Sequence, residues 1–84
     1  MMHKIKDVKP MGNMMLDVIF TTGEERQYDV RPLLEKFDAF KTLIYVNGLF
    51  EQVQVDCGGY GIAWNDDIDL DCEDLWYDSI PLTR

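Results

Sequence analysis

The sequence predicts an α+β domain: a small antiparallel sheet built from two hairpins, with short helices packed on one face. Three observations carry this expectation. Apolar residues alternate with a period of two through Met14–Phe20 and again through Val53–Cys57. Each alternating run is followed by a glycine-containing turn and a second extended run. Between the two hairpins the apolar spacing changes to three and four, the period of a helix.

The first candidate strand, Lys4 to Lys9, has Ile5 and Val8 three apart, which breaks strict alternation and predicts a bulge or an edge position. Lys4, Lys6 and Lys9 suit an edge, because charged side chains there oppose pairing with other molecules. Pro10 to Asn13 has the composition of a turn. Met14, Leu16, Val18 and Phe20 then share one face of a strand, with Met15, Asp17 and Ile19 on the other. Thr21-Thr22-Gly23-Glu24 connects this strand to Glu25–Val30, whose Tyr28 and Val30 should face inward. Pro32 fits a first helical turn, where a missing N–H leaves no bond unmade, and Leu33 and Leu34 follow as a short turn. Phe37, Phe40, Leu43 and Ile44 form an apolar helical stripe, with Asp38 as its cap and Asn47-Gly48 as its stop. Phe50 is expected to fill the core.

The second hairpin begins with Val53, Val55 and Cys57 facing inward and Gln54 and Asp56 outward. Gly58, Gly59 and Gly61 around Tyr60 allow the chain to reverse into Ile62-Ala63-Trp64. Ile68 and Leu70 point inward among acids, and Asp69 is expected to bond backbone near Trp64. Asp71, with Asp74 three residues on, resembles a helix N-terminus, where carboxylates accept unpaired N–H groups and suit the helix dipole. Leu75, Trp76 and Ser79 would lie on that helix, and Pro81 would end it.

At 84 residues the chain is one domain, 1–84, of a size that buries roughly 60% of its unfolded surface. Met1-Met2-His3-Lys4 leads into no apolar run, so neither an export signal nor a membrane span is expected, and the chain reads as cytoplasmic. Cys57 and Cys72 are then expected to be free, buried thiols. Residues 1–41 carry seven Lys or Arg and seven Asp or Glu. Residues 42–84 carry nine acids against Arg84 alone, which accounts for the whole net charge of −8. That balance disfavours direct nucleic-acid binding, which depends on cationic side chains, and favours a basic partner.

Order and spacing also carry a resemblance. Val18-x-Phe20-x-x-Gly23-Glu24, Tyr28-Asp29-Val30-x-Pro32-Leu33, Phe40-x-x-Leu43, Phe50-x-x-Val53-x-Val55 and Ile62-x-Trp64 lead to Asp69-Leu70-x-x-Glu73-x-Leu75. The series is similar to the small bacterial family called domain of unknown function DUF2442, over nearly the whole chain. The resemblance implies a compact α+β fold that stands alone or is fused to a helix-turn-helix. It also implies a small companion protein encoded nearby, an arrangement like that of toxin and antitoxin pairs. It brings no catalytic residues. The Cys57-Gly58-Gly59-Tyr60-Gly61 turn and Trp76 depart from the family pattern, and no appended DNA-binding segment is expected, so a direct transcription-factor role is not.

The candidate sites follow from these readings. Asp67-x-Asp69-x-Asp71 has the spacing of a calcium loop, with Asp78 at its twelfth position. Cys72 occupies the place that needs glycine, so no metal site is assigned. His3 lies at a frayed terminus and Ser79 near the other end, and no phosphate loop is present, so no catalytic residue or cofactor is assigned and the chain is not expected to be an enzyme. The expected site is a protein-binding surface made of Tyr60, Asp66, Asp67, Asp69, Asp71, Glu73, Asp74, Trp76 and Tyr77. Aromatic rings there would anchor a partner that the surrounding charge selects. The function this predicts is a non-catalytic acidic interaction module, antitoxin-like, with a small basic partner. The alternative is a small-ligand sensor or regulatory scaffold related to transcriptional regulators. Homodimerisation through the Met14–Phe20 hairpin edge is also open.

Overall fold

A computed structural model describes residues 2–82 and divides the strands between two antiparallel sheets. The first holds β1 (Ile5–Met11), β2 (Met15–Phe20), β3 (Glu25–Asp29) and β7 (Ile80–Pro81), in the order β1-β2-β3-β7. The second holds β4 (Gln54–Val55), β5 (Gly61–Asn65) and β6 (Ile68–Asp71), with β5 in the middle. Helices α1 (Arg31–Lys36) and α2 (Thr42–Tyr45) lie between the sheets in sequence, and α3 (Cys72–Tyr77) joins β6 to β7. The α+β class and both hairpins are as expected, with two sheets where the sequence pointed to one.

The alternation of β2 does what its period requires. Leu16, Val18 and Phe20 are sealed from solvent and form the centre of the core with Tyr28, Val30, Ile62, Trp64 and Leu75. The irregularity expected of the first strand is a register shift between Ile5 and Asp7 against β2, and it lets Ile5 and Val8 both turn inward. β1 runs on through Pro10 to Met11, so the turn expected at Pro10–Asn13 is displaced to a 3-10 turn at Gly12–Met14. Proline is tolerated at this place because β1 is the edge strand of its sheet and Pro10 need not donate outward.

The stripe expected from Phe37 to Ile44 is broken. Phe40 and Leu43 are buried, but Phe37 and Ile44 are more than half exposed. Phe37 is extended (φ −131°, ψ 119°) and stands outside the helix, and Asp38 caps nothing with its side chain. Residues Asp38–Lys41 then wind as a 3-10 turn before α2. A turn of three residues instead of 3.6 loses phase with a stripe drawn for an α-helix.

The C-terminal helix starts where expected, since the N–H of Glu73 donates to Asp71 Oδ2 at 3.1 Å. It ends at Tyr77 rather than at Pro81. Ile80 and Pro81 form a short edge strand opposite Gln27 and Arg26. Arg26 fixes this return: Nε donates to Ser79 Oγ at 2.6 Å and Nη2 to the Ser79 carbonyl at 2.9 Å.

Both cysteines are free, but only Cys72 is buried; Cys57 sits exposed in the 3-10 turn after β4, not on an inner strand face. The inward alternation stops at Val55 because the strand ends there. Burial pushes the Cys72 thiol up, and the carboxylates of Asp71 and Glu73 add to the effect. A thiol reagent added to the native protein is therefore expected to modify Cys57 and spare Cys72 until the chain is unfolded. Intact-mass analysis would show one adduct before denaturation and two after. Two adducts forming together in the native protein would contradict the burial of Cys72.

Candidate functional site

Seven acidic residues follow one another in sequence from the β5–β6 turn through β6 and α3 to Asp78. At the start of this run the β5–β6 turn is held by Asn65, whose Oδ1 accepts from the N–H groups of Asp67 at 2.9 Å and Ile68 at 3.0 Å. Asp66 and Asp67 are consequently displayed at the tip, both exposed. Along β6 the strand period buries Ile68, half-buries Leu70, and leaves Asp69 and Asp71 on the outer face. The Asp69 carboxylate makes no hydrogen bond to the backbone near Trp64 among the described residues. The buried Trp64 indole donates instead to the Phe50 carbonyl at 3.0 Å. Asp67 sits in the turn and Asp69 and Asp71 follow along the extended strand. Among the described residues no group of three or more His, Cys, Asp or Glu side chains is placed to hold a metal ion.

Beyond β6 the acids take up separate local tasks. Asp71 caps α3, while Glu73 accepts the His3 backbone N–H at 2.8 Å and lies 3.0–3.2 Å from His3 Nδ1. The His3 ring stacks on Trp76 with centroids 3.9 Å apart and planes 11° from parallel. His3 was expected at a frayed terminus; it is fastened to α3 instead, because Glu73 and Trp76 present a carboxylate and an aromatic face side by side. Trp76 also meets the edge-on ring of Phe20 at 5.0 Å and the guanidinium of Arg26 at 4.7 Å. Its ring is thus engaged within the fold, whereas Tyr77 is 71% exposed and Tyr60 43% exposed. Lys4 lies 5.0 Å over the Tyr60 ring. Asp78 and Asp74 lie on the side of Tyr28: burial first, then these two carboxylates and Asp29, push its phenol up to about 12.

Glu73 has its carboxyl held below the usual carboxylate range, first by the His3 backbone N–H and then by the His3 side chain. A depressed folded pKa adds stability that is present above the unfolded value and is lost as pH falls through the folded one. In His3→Ala the backbone donor remains, so Glu73 is expected to recover only part of the shift. Removal of residues 1–3 takes away both His3 donors and should release more of it. Carboxyl-carbon NMR titration of the three proteins reads the difference, and identical Glu73 titrations would contradict the contact.

Ile44, expected on the inward stripe, lies at the surface with its two successors. Ile44, Tyr45 and Val46 are consecutive, apolar and at least half exposed. Only Leu43, just before them, turns inward. The signal was present, since three successive apolar residues cannot share one helical face. Beside them is a cavity of about 270 Å³ lined by Ala39, Thr42, Val46, Leu49 and Ile68, with Asn65 and Asp67 at the acidic tip.

Fold and surface together define a small α+β domain of two antiparallel sheets with an acidic run through the second. The family described as Protein of unknown function (DUF2442) matches residues 5–81, and the chain belongs to that family. No curated protein and no solved structure matches it. Among the described residues no helix is long and apolar enough to cross a membrane.

Proposed function

We propose that this chain is a non-catalytic acidic protein-interaction module, the antitoxin-like member of a two-gene pair, which neutralises a small basic protein encoded nearby. One observation supports the reading most. Asp66, Asp67, Asp69, Asp71, Asp74 and Asp78 are all exposed, and where three of them line cavities, Asp66, Asp67 and Asp78, each lines a different one. Acid and base catalysis by carboxylates depends on a pocket that separates their pKa values. Solvated carboxylates instead hold their charge where a basic partner meets it, which speeds encounter and selects against acidic competitors. Tyr60 and Tyr77 add exposed aromatic area.

The test separates charge from fold. Asp71 caps α3 and Glu73 holds His3, so neutralising either would disturb structure. Asp66, Asp67 and Asp69 carry no side-chain hydrogen bond among the described residues, and their replacement by asparagine should leave the melting temperature nearly unchanged. Co-expressed with the product of the neighbouring reading frame, the wild-type chain is expected to copurify as a complex. The Asp66→Asn/Asp67→Asn/Asp69→Asn variant should lose about tenfold or more of that affinity. Absence of a complex, or a variant that binds as the wild type does, would overturn the proposal.

A further inference from the structure

We infer that the ridge Ile44-Tyr45-Val46 and the cavity beside it are the docking surface for a short, basic, amphipathic segment of a protein partner. The inference rests on the reading of the chain as an acidic interaction module and says where on it, and by which part of the partner, contact is made.

Three large apolar side chains in succession, 59%, 77% and 50% exposed, are unlike the scattered single apolar residues of an ordinary surface. They are not there for want of a core, because Leu43 already fills the inward position. α2 ends at Tyr45 and Val46 turns extended (φ −96°, ψ 112°), which brings Val46 to the wall of the cavity with Leu49 and Ile68. At about 270 Å³ the cavity falls below the range of small-molecule sites, roughly 300–1,000 Å³, and suits an inserted side chain.

Charge complementarity decides the occupant. Asp67 lines the cavity, and Asp66 stands next to it at the hairpin tip. Lys41, which precedes α2, is paired with Asp38 at 3.2 Å, and among the described residues no ion pair is formed by Asp66 or Asp67. A second copy of this chain would bring a net charge of −8 against −8 and set acid against acid. A segment with an apolar side chain for the cavity and Lys or Arg one helical turn away meets both features at once.

Two labelled synthetic peptides of equal composition and charge provide the test. In one, Leu and Lys recur at helical spacing; in the other the same residues are scrambled. By fluorescence anisotropy the amphipathic peptide is expected to bind the full chain about tenfold more tightly than the scrambled one. Ile44→Ser/Tyr45→Ala changes only exposed side chains, and its fold is checked by circular dichroism and thermal melting. In that variant the preference should vanish and leave the weaker, salt-sensitive attraction common to both peptides. Equal binding of the two peptides by the wild type, or an undiminished preference in the ridge variant, overturns the inference. If the peptides bind equally but both are released by Asp66→Asn/Asp67→Asn, only the ridge proposal fails. If neither binds even at low salt, the acidic-module reading fails with it.

Discussion

Replacing Trp64 with alanine is expected to remove about 3–5 kcal/mol of folding free energy, the range for truncating a large buried aromatic side chain. A domain of this size holds only about 4–13 kcal/mol in all, so the variant should be barely folded. Trp64 is 5% exposed, stands edge-to-face with Phe40 at 6.0 Å and lies beside Phe50 at 6.3 Å. It also ties the core to the segment before β4 through its bond to the Phe50 carbonyl. Trp64→Phe separates these contributions. It keeps much of the apolar volume but leaves that carbonyl without its donor, a loss of about 1–3 kcal/mol. Urea unfolding followed by circular dichroism should rank wild type, Trp64→Phe and Trp64→Ala in falling stability. A Trp64→Phe protein as stable as the wild type would show that the buried hydrogen bond contributes nothing.

Gly59→Ala is expected to cost about 3 kcal/mol, from two causes that act together. Gly59 has φ +78°, a left-handed conformation that carries a penalty of about 1–2 kcal/mol for other residues. A methyl group placed there would also stand 2.6 Å from the carbonyl oxygen of Ile5, a backbone atom that a rotamer change cannot move aside. This is where the turn after β4 rests on β1, so the substitution forces the two sheets apart. Gly23 supplies the control. Its φ is +95° but nothing lies within 4 Å of the place an alanine methyl would take. Gly23→Ala should therefore cost only the conformational part, about 1 kcal/mol. Equal losses for the two variants in urea unfolding would mean that the close approach between sheets is not what Gly59 provides.

The elements legible in the sequence are those that local physics sets. The period-two run of β2 buries Leu16, Val18 and Phe20, and Asp71 caps α3, because alternation and capping involve residues a few positions apart. Long-range contacts left no such mark. The close approach of the two sheets depends on Gly59 meeting Ile5, and the fastening of the N-terminal segment depends on His3 reaching Glu73 and Trp76. β7 is two residues long, and its proline reads as a helix stop until Arg26 is seen to hold Ser79. The acidic run was legible as composition, and its placement on an exposed strand face follows from the alternation of Ile68 and Leu70 with the acids. The apolar ridge was legible only in part: Ile44, Tyr45 and Val46 are consecutive and cannot all face inward, but the exposure of Ile44 follows from the 3-10 turn before α2, which shifts the phase of the stripe.

The central claim, that the second half of the chain recognises a basic partner through solvated carboxylates, is tested most directly by affinity as a function of ionic strength. Titration of the chain against the product of the neighbouring reading frame should give binding that weakens steeply as salt shortens the reach of exposed charges. The Asp66→Asn/Asp67→Asn/Asp69→Asn variant should bind more weakly and with a flatter dependence. Affinity that does not change with salt, and is the same in the variant, would contradict the account.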